Sequence, residues 1–385
     1  MNARTVPPFS PSYTFPDVLT GLAGIGKVRA EDSIAGLLPN GRSTYFLDSG
    51  RTALFVILQS MRLSTGSPVY VQPFTCLAVI EAIEQAGLSP VFIDIDPQTY
   101  TLDVGDLKER YDGGPVLAIH TFGHAADLDP ILALVGRDAL IEDCAHAPLG
   151  TYKDRPLGTF GAYAFYSFRL GKPLSAGGGG VVTVLPDAAP AIQAKVNSLP
   201  EYSRLEELQH VLRTAARSFA YRPSFYEVAS KFRADPLRAL EVPGAIWPHA
   251  IRSSDLHVAH QKVPELASII ERQRKNSLRL CQALQASTLE CLVERPWARC
   301  TYAHFPIRVS RGRSRESLAD YLAAQRIRAF PLYSISMNAL KARYHFLCPV
   351  ATESALRTLV IPNHEGLSDS QVEGIAQALL TWEGL

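Results

Sequence analysis

Three short segments carry the residue types from which a reaction can be built. DSGRTAL at 48–54 sets a Ser-Gly turn directly before an apolar-periodic helix. The first turn of a helix exposes unpaired N–H groups and a partial positive charge, which suits a phosphate. Ser before a helix is equally an ordinary cap. IEDCAHA at 141–147 places Asp143 at the C-terminal end of an apolar run that reads as a strand. Open α/β sheets bind ligands at that edge. A carboxylate so placed holds a protonated ring nitrogen, ligates a metal or caps the next helix. His146, three residues on, is too little for a metal site by itself. YSFRLGKPLSAGGGG at 166–180 puts Lys172 just after another strand end, between Gly171 and Pro173 and ahead of four consecutive glycines. Most lysines are solvated surface charges. Here small and rigid neighbours, and a glycine run that a surface loop does not require, favour a backbone pressed against a ligand. The pattern GxxxxGK[ST] is absent, so the run is not a phosphate-cradling P-loop.

Together these are a phosphate turn, an acid, and a lysine 29 positions beyond the acid (172 − 143). A cofactor with a phosphate, a ring nitrogen and an aldehyde uses all three, and pyridoxal 5′-phosphate has these groups. Lysine forms the Schiff base, and aspartate partners the pyridinium nitrogen so that the ring acts as an electron sink. Lysine suits the task because its amine loses its proton in a partly desolvated site, which arginine cannot do.

The elements around these segments alternate. Helical periodicity at 51–61 is followed by a strand-like run at 67–74, an amphipathic helix ending in Gly at 76–87 and a buried-strand run at 90–96. Further strands are expected at 115–122, 139–144, 162–168 and 180–184, with a helix at 128–136. This spacing implies an α/β fold with a mostly parallel sheet covered on both faces. Residues 1–45 read as an arm with short helices. Residues 186–250 read as helical stretches broken at Pro200, Pro223, Pro236 and Pro243, with no strand. A long helix is expected from about Ser254 to Leu284. Strands at 304–310 and 357–362 and helices at 315–325 and 369–382 make an α+β tail. The expected division is a large domain over 1–250, including the helical insertion at about 186–250, and a small α+β domain over 251–385.

Composition narrows the classes. The chain has 385 residues, 38 basic against 37 acidic, and 47% apolar residues. A net charge of +1 argues against a nucleic-acid partner. No apolar run reaches the length of a membrane span, and the start MNARTVPPFSPSYTF has no apolar signal core. Six cysteines without a CxxC pair are too sparse for a disulfide scaffold. A cytoplasmic protein is the expectation.

With these residues in view, the sequence resembles the fold-type-I, pyridoxal-phosphate-dependent sugar aminotransferases of the DegT/StrS type. The segments that carry the resemblance are SGRTAL (49–54), VYVQPFTC (69–76), PVFIDIDPQTYTLD (90–103), HTFGHAADLDP (120–130), IEDCAHA, YSFRLGK, the glycine run, RSSDLHVAH (252–260) and IPNHEGLSD (361–369). The resemblance implies a large pyridoxal-phosphate domain of the aspartate aminotransferase kind with a mixed, mainly parallel sheet, and a small C-terminal domain. It makes Lys172 the Schiff-base lysine and proton shuttle, and Asp143 the partner of the pyridinium nitrogen. It places His146 near the phenolic oxygen, and Ser167 with the Gly50 and Arg51 amides on the phosphate. Tyr333 matches a tyrosine on the small-domain side. It implies a homodimer that passes an amino group from glutamate or glutamine to a keto sugar, nucleotide-linked, or a cyclitol, in polysaccharide or natural-product biosynthesis.

Three positions depart from the family pattern. Cys76 stands where an aromatic usually stacks on the ring, and Ala250 stands where an Asn usually reaches the neighbouring subunit's phosphate. Arg169 replaces a His; it either supplies charge to a phosphate or substrate anion or is a surface arginine. Two rivals stand beside transamination. One is a dehydratase or deoxygenase reaction, against which the retained Lys172 speaks. The other is a non-catalytic regulator, or a partner-binding role for the 186–250 helices. No metal is expected: His120 and His124 fall in a segment that the resemblance accounts for, and Cys144 reads as a small buried apolar residue.

Overall fold

The apolar runs of the first half pair into one sheet in the computed structural model, which describes residues 5–10, 12–27, 34, 38–220, 222 and 247–383. Its strands are β1 (Ser43–Leu47), β2 (Pro68–Val71), β3 (Ser89–Phe92), β4 (Val116–Ile119), β5 (Leu140–Asp143), β6 (Tyr163–Ser167) and β7 (Gly180–Val184). The order across the sheet is β1-β7-β6-β5-β4-β2-β3. From β6 to β3 every pairing is parallel, and β7 runs antiparallel to both of its neighbours. The fold is therefore the mixed, mainly parallel α/β sheet that the sequence implies.

All four residues of β4 and all four of β5 are buried. Leu117, Ile119 and Ile141 join the core on one face, while Val116, Ala118 and Leu140 join the core on the other. Side chains alternate across a strand, so a strand covered on both faces reads as one unbroken apolar run. The helices are α1 (Phe15–Gly24), α2 (Gly50–Ser60), α3 (Leu77–Gln85), α4 (Val104–Arg110), α5 (Leu128–Val135), α6 (Ala189–Val196) and α7 (Arg204–Ala220). They continue with α8 (Ser253–Lys262), α9 (Leu266–Ala283), α10 (Arg315–Ala324), α11 (Ser334–Arg343), α12 (Pro349–Arg357) and α13 (Asp369–Glu383). α2 and α3 cover one face through Leu54, Ile57, Leu77 and Ile80. Leu128 and Ile131 of α5, with Leu256 and Ala259 of α8, cover the other.

A third core belongs to the C-terminal part. There β8 (Glu290–Cys291), β9 (Phe305–Arg308) and β10 (Thr358–Ile361) form an antiparallel sheet. Phe305, Ile307 and Leu359 pack on Leu280 of α9 and on Val372, Ile375 and Leu379 of α13. No helix among the described residues is long and apolar enough to cross a membrane.

Several elements differ from the sequence expectation. Ser43–Leu47 is an edge strand, β1, although 1–45 reads as an arm with short helices; its partner β7 is remote in sequence. The helix expected over 254–284 is two helices separated by a 3₁₀ turn at Val263–Glu265. Pro264 sits in that turn and has no N–H to donate to the preceding turn. The strand expected over 90–96 ends at Phe92, because the Asp94 carboxylate accepts from the Val350 and Ala351 amides at the start of α12 (3.0 and 2.8 Å). Within 186–250, α6 and α7 are helical, and residues 223–246 lie outside the described residues.

Part of the glycine run has a steric cause. Gly180 pairs with both Ser167 and Leu47, and Ser49 bridges Gly179. A Cβ on Gly180 would lie 2.3 Å from the Ser49 carbonyl carbon and 2.5 Å from the Gly50 amide nitrogen. Those neighbours are backbone and cannot swing away. Gly180→Ala is expected to cost about 1–3 kcal/mol, the range for forcing atoms into a packed site. A lowered unfolding midpoint in denaturant checks this.

Candidate active site

The parallel register brings strand ends together. Ile119 is opposite Asp143, Asp143 is opposite Phe165, and Ser167 lies two residues further along β6. At this C-terminal edge a cavity of about 410 Å³ opens, lined by Gly50, Asp143, His146, Ser167, Lys172 and Tyr333 among others. Arg51, Cys76 and Arg169 line it too. Every site residue expected from sequence thus faces one space.

Lys172 is held by a turn that folds back on itself. Its amide donates to the Arg169 carbonyl (3.1 Å), Arg169 bridges Gly177, and the Ala176 amide donates to Phe168 (2.8 Å). Loss of water around the amine, then the nearby Arg169 guanidinium, pull its pKa down from 10.5 to about 8; Asp143 and Cys76 oppose this. Asp143 is 6% exposed. Its Oδ1 accepts from the Ala145 amide (2.9 Å), so the turn-capping role is present. Its Oδ2 makes no hydrogen bond among the described residues. Burial pushes this carboxyl above its ordinary range, against the pull of the Ala145 amide, Lys172 and His120.

His146 accepts from the Phe122 amide at Nδ1 (3.2 Å), which leaves its proton on Nε2. Burial, then Lys172 and His304, hold its pKa well below the ordinary value, so the ring is neutral. Phe122 stacks between His146 and Tyr333, with interplanar angles of 7° and 17°. Phe122 and Tyr333 both take positive φ, 58° and 65°, so the chain holds these two rings at some conformational expense. At the start of α2 the Ser49 side chain accepts from the Thr52 amide (3.1 Å), leaving Gly50 and Arg51 at the positive end of the helix. The Arg51 side chain itself turns to Glu81 (3.3 Å).

Beneath Asp143 lies a buried buttress. Glu142 accepts from the amides of Gly158, Phe160 and Gly161 (2.8, 2.7 and 2.9 Å) and from His120 Nε2 (3.3 Å). His120 Nδ1 accepts from the Ala126 amide (3.2 Å). His120, Glu142 and Cys144 bring ligand atoms within 4.8 Å of one another, but the lone pairs of the first two are already engaged. His124, considered with them from sequence, turns instead to the Cys300 thiol (3.6 Å) and the edge of Tyr302. Burial alone would raise the Glu142 carboxyl; the His120 and backbone hydrogen bonds outweigh it and hold it low. A lowered carboxyl contributes stability above the unfolded carboxylate range and loses it as pH falls through the folded value. Glu142→Gln turns an amide NH₂ toward backbone donors. It is expected to cost about 3 kcal/mol and to flatten the acid limb of the stability–pH profile.

A family model described as the DegT/DnrJ/EryC1/StrS aminotransferase family matches residues 42–222 and 251–380. The chain belongs to this family. It is a family of pyridoxal-phosphate-dependent aminotransferases, which fixes the enzyme class. GDP-perosamine synthase of Escherichia coli O157:H7 is 25% identical over 341 residues, 86% of this chain and 84% of that protein. A UDP-N-acetyl-3-dehydro-alpha-D-glucosamine 3-aminotransferase of Acidithiobacillus ferrooxidans is 26% identical over 345 residues, 86% of this chain and 82% of that one. Among solved structures, S. venezuelae DesV in complex with a ketimine intermediate superposes with a TM-score of 0.78 at 20% identity over 100% of both chains.

Set against the family's pattern, Cys76 caps α3 in the cavity wall, and Ala250 is a buried bridge to Leu47 rather than a lining residue. Arg169 is half-buried in the cavity wall and pairs with no acid among the described residues. Sequence reasoning missed a whole wall: Asp48, Tyr202, His210, Arg217, Trp247 and Arg252. Tyr202 donates to Asp48 (2.9 Å), Arg252 lies 3.7 Å over the Tyr202 ring, and His210 meets Asp255 (2.9 Å). Tyr202, His210, Arg217 and Trp247 come from the 186–250 segment, whose sequence signals only helices.

Proposed function

We propose that this chain transfers an amino group from glutamate or glutamine to the keto group of a sugar or cyclitol, the sugar nucleotide-linked. The pairing of Lys172 and Asp143 across one cavity carries this reading. The residues fit pyridoxal 5′-phosphate on their own terms. Asp143 keeps one oxygen without a hydrogen-bond partner among the described residues, as a protonated ring nitrogen requires, and the close approach at Gly50 and Gly180 keeps the turn slim. Ser167 Oγ and the Gly50 and Arg51 amides are the groups for the phosphate, with the α2 dipole behind them. His146 presents Nε2–H for the phenolic oxygen. When bound, this cofactor supplies the carrier aldehyde and a ring that takes up the electron pair released at the substrate carbon.

Lys172 moves the proton. With a pKa of about 8, roughly a tenth of Nζ is neutral at pH 7 and roughly a quarter at pH 7.5, enough for it to serve as base and then as acid. Arg169, in the cavity wall and without an acid partner among the described residues, supports a phosphate or substrate-anion contact over the surface-arginine reading. The exposed apolar side chains of Leu205, Leu212 and Phe219 on α7 support the homodimer reading, and sedimentation of the purified protein tests it.

The decisive experiment is an absorbance spectrum of the purified holoenzyme before and after glutamate or glutamine. The expected result is a yellow band that bleaches with donor and returns with a keto-sugar acceptor. A band that no amino donor bleaches sinks the transfer reading; a colourless protein that does not take up the cofactor sinks the site.

A further inference from the structure

Lys172 lines a second cavity as well. It measures about 180 Å³, and its walls are the N-terminal residues around Phe9 and Ser12, the turn 171–175, α9 and the loop 363–365. Four buried side-chain atoms in these walls have no hydrogen-bond partner among the described residues: Ser175 Oγ, Gln273 Oε1 and the two ring nitrogens of His364. Ser175 is 2% exposed, Gln273 6% and His364 7%. The buried ring of His364 lines the same space. Interiors seldom leave such atoms unpaired, because each costs about 1–3 kcal/mol. A polar cavity of this size holds water, which bonds two to four such groups per molecule.

The charges around the space do not select an ion. In the lining Lys172 and Lys262 are matched by Glu265 and Glu365, and Lys262 also meets Asp17 (3.1 Å). Exposed Thr14 and Glu265 stand in the wall, so the cavity reaches solvent.

We propose that this cavity holds a hydrogen-bonded water cluster, anchored by Ser175 and Gln273, that exchanges protons between solvent and the Lys172 amine. It is a port separate from the substrate cavity, and it rests on the reading of Lys172 as the proton carrier. The cluster gives one proton to the neutral Nζ or takes one from the ammonium. Bulk water then restores the cluster, so no charge is left behind. The charged and titratable groups near Lys172 are Asp143, Cys76, His146, His304 and Arg169. All but Arg169, which belongs to the same turn, stand on segments other than the 171–175 turn that shapes the second cavity.

A high-resolution crystal structure of the holoenzyme tests the occupant. Ordered waters within hydrogen-bond reach of Ser175 Oγ and Gln273 Oε1, continuing toward Lys172, are expected. A dry or side-chain-filled space overturns the proposal. The Ser175→Ala, Gln273→Leu double variant tests the role. In D₂O, with the amino donor, incorporation of deuterium at the donor α-carbon per amino group transferred is expected to fall about tenfold, a barrier change of about 1.4 kcal/mol. The absorbance of the bound cofactor stays unchanged. Unaltered incorporation overturns the role even where the waters are seen. Failure of the aminotransferase reading shows itself separately, as wild-type protein whose band does not respond to donor.

Discussion

Under the proposed function, Lys172→Ala is expected to abolish amino transfer and the yellow colour of the purified enzyme, with a loss in turnover of at least about 10³-fold. The magnitude follows from what the amine does and from how the fold prepares it. An unperturbed lysine amine at pH 7.5 is neutral in about one molecule in a thousand; with a pKa of about 8 the fraction is roughly a quarter. Desolvation is the largest cause and the Arg169 guanidinium the next. Removing the like charge in Arg169→Gln therefore raises the pH at which Nζ becomes neutral. Lys172→Arg does not rescue, because guanidinium stays charged. The variant is expected to fold, since the Lys172 amide and not its side chain closes the turn. Steady-state rates, the absorbance spectrum and a melting curve check all of this. A Lys172→Ala protein that keeps its band and its turnover removes the assignment.

Asp143→Asn is the second large effect, a loss in kcat/KM of about 10²–10³-fold, the range for removing one preorganised charge partner. The substitution separates two roles that the sequence leaves open. Asn keeps a side-chain oxygen to accept from the Ala145 amide, so the turn after β5 survives. What it loses is the charge on the oxygen facing the cavity. If capping were the whole role, activity and stability would both stay near wild type. The sign of the stability effect is also fixed. Burial raises the folded carboxyl above its unfolded value, so its charge is a net cost to the folded chain above the unfolded carboxylate range. The cofactor-free Asp143→Asn variant is thus as stable as wild type or more so at neutral pH, while the enzyme is crippled. Melting temperature and kcat/KM measured together decide the matter.

The legible parts of this protein were those with a local signature. The strands β4, β5 and β6 are short apolar runs, and the parallel sheet follows from their alternation with helices. The meeting of Asp143, Ser167 and Lys172 at one cavity was legible because each lies at or just beyond a strand end, the edge where α/β sheets bind ligands. The edge strand β1 was missed because its partner β7 is far along the chain, and STYFL carries no local mark of that pairing. The wall made by Tyr202, His210 and Arg217 was missed for a similar reason. α7 has a helical pattern, but the face it turns to the cavity depends on its contacts with α1 and α8.

By itself the amino-acid sequence pointed to the chemistry proposed for the site: an acid, a lysine and a phosphate turn, in an order that the α/β alternation brings to one sheet edge. Tertiary structure decided what those groups are like once they arrive. It removed water from Lys172 and Asp143, fixed the His146 proton on Nε2 through the Phe122 amide, and set Arg169 in the same cavity wall. Proton affinity and tautomer depend on the surroundings in three dimensions, and those surroundings come from segments that are distant along the chain.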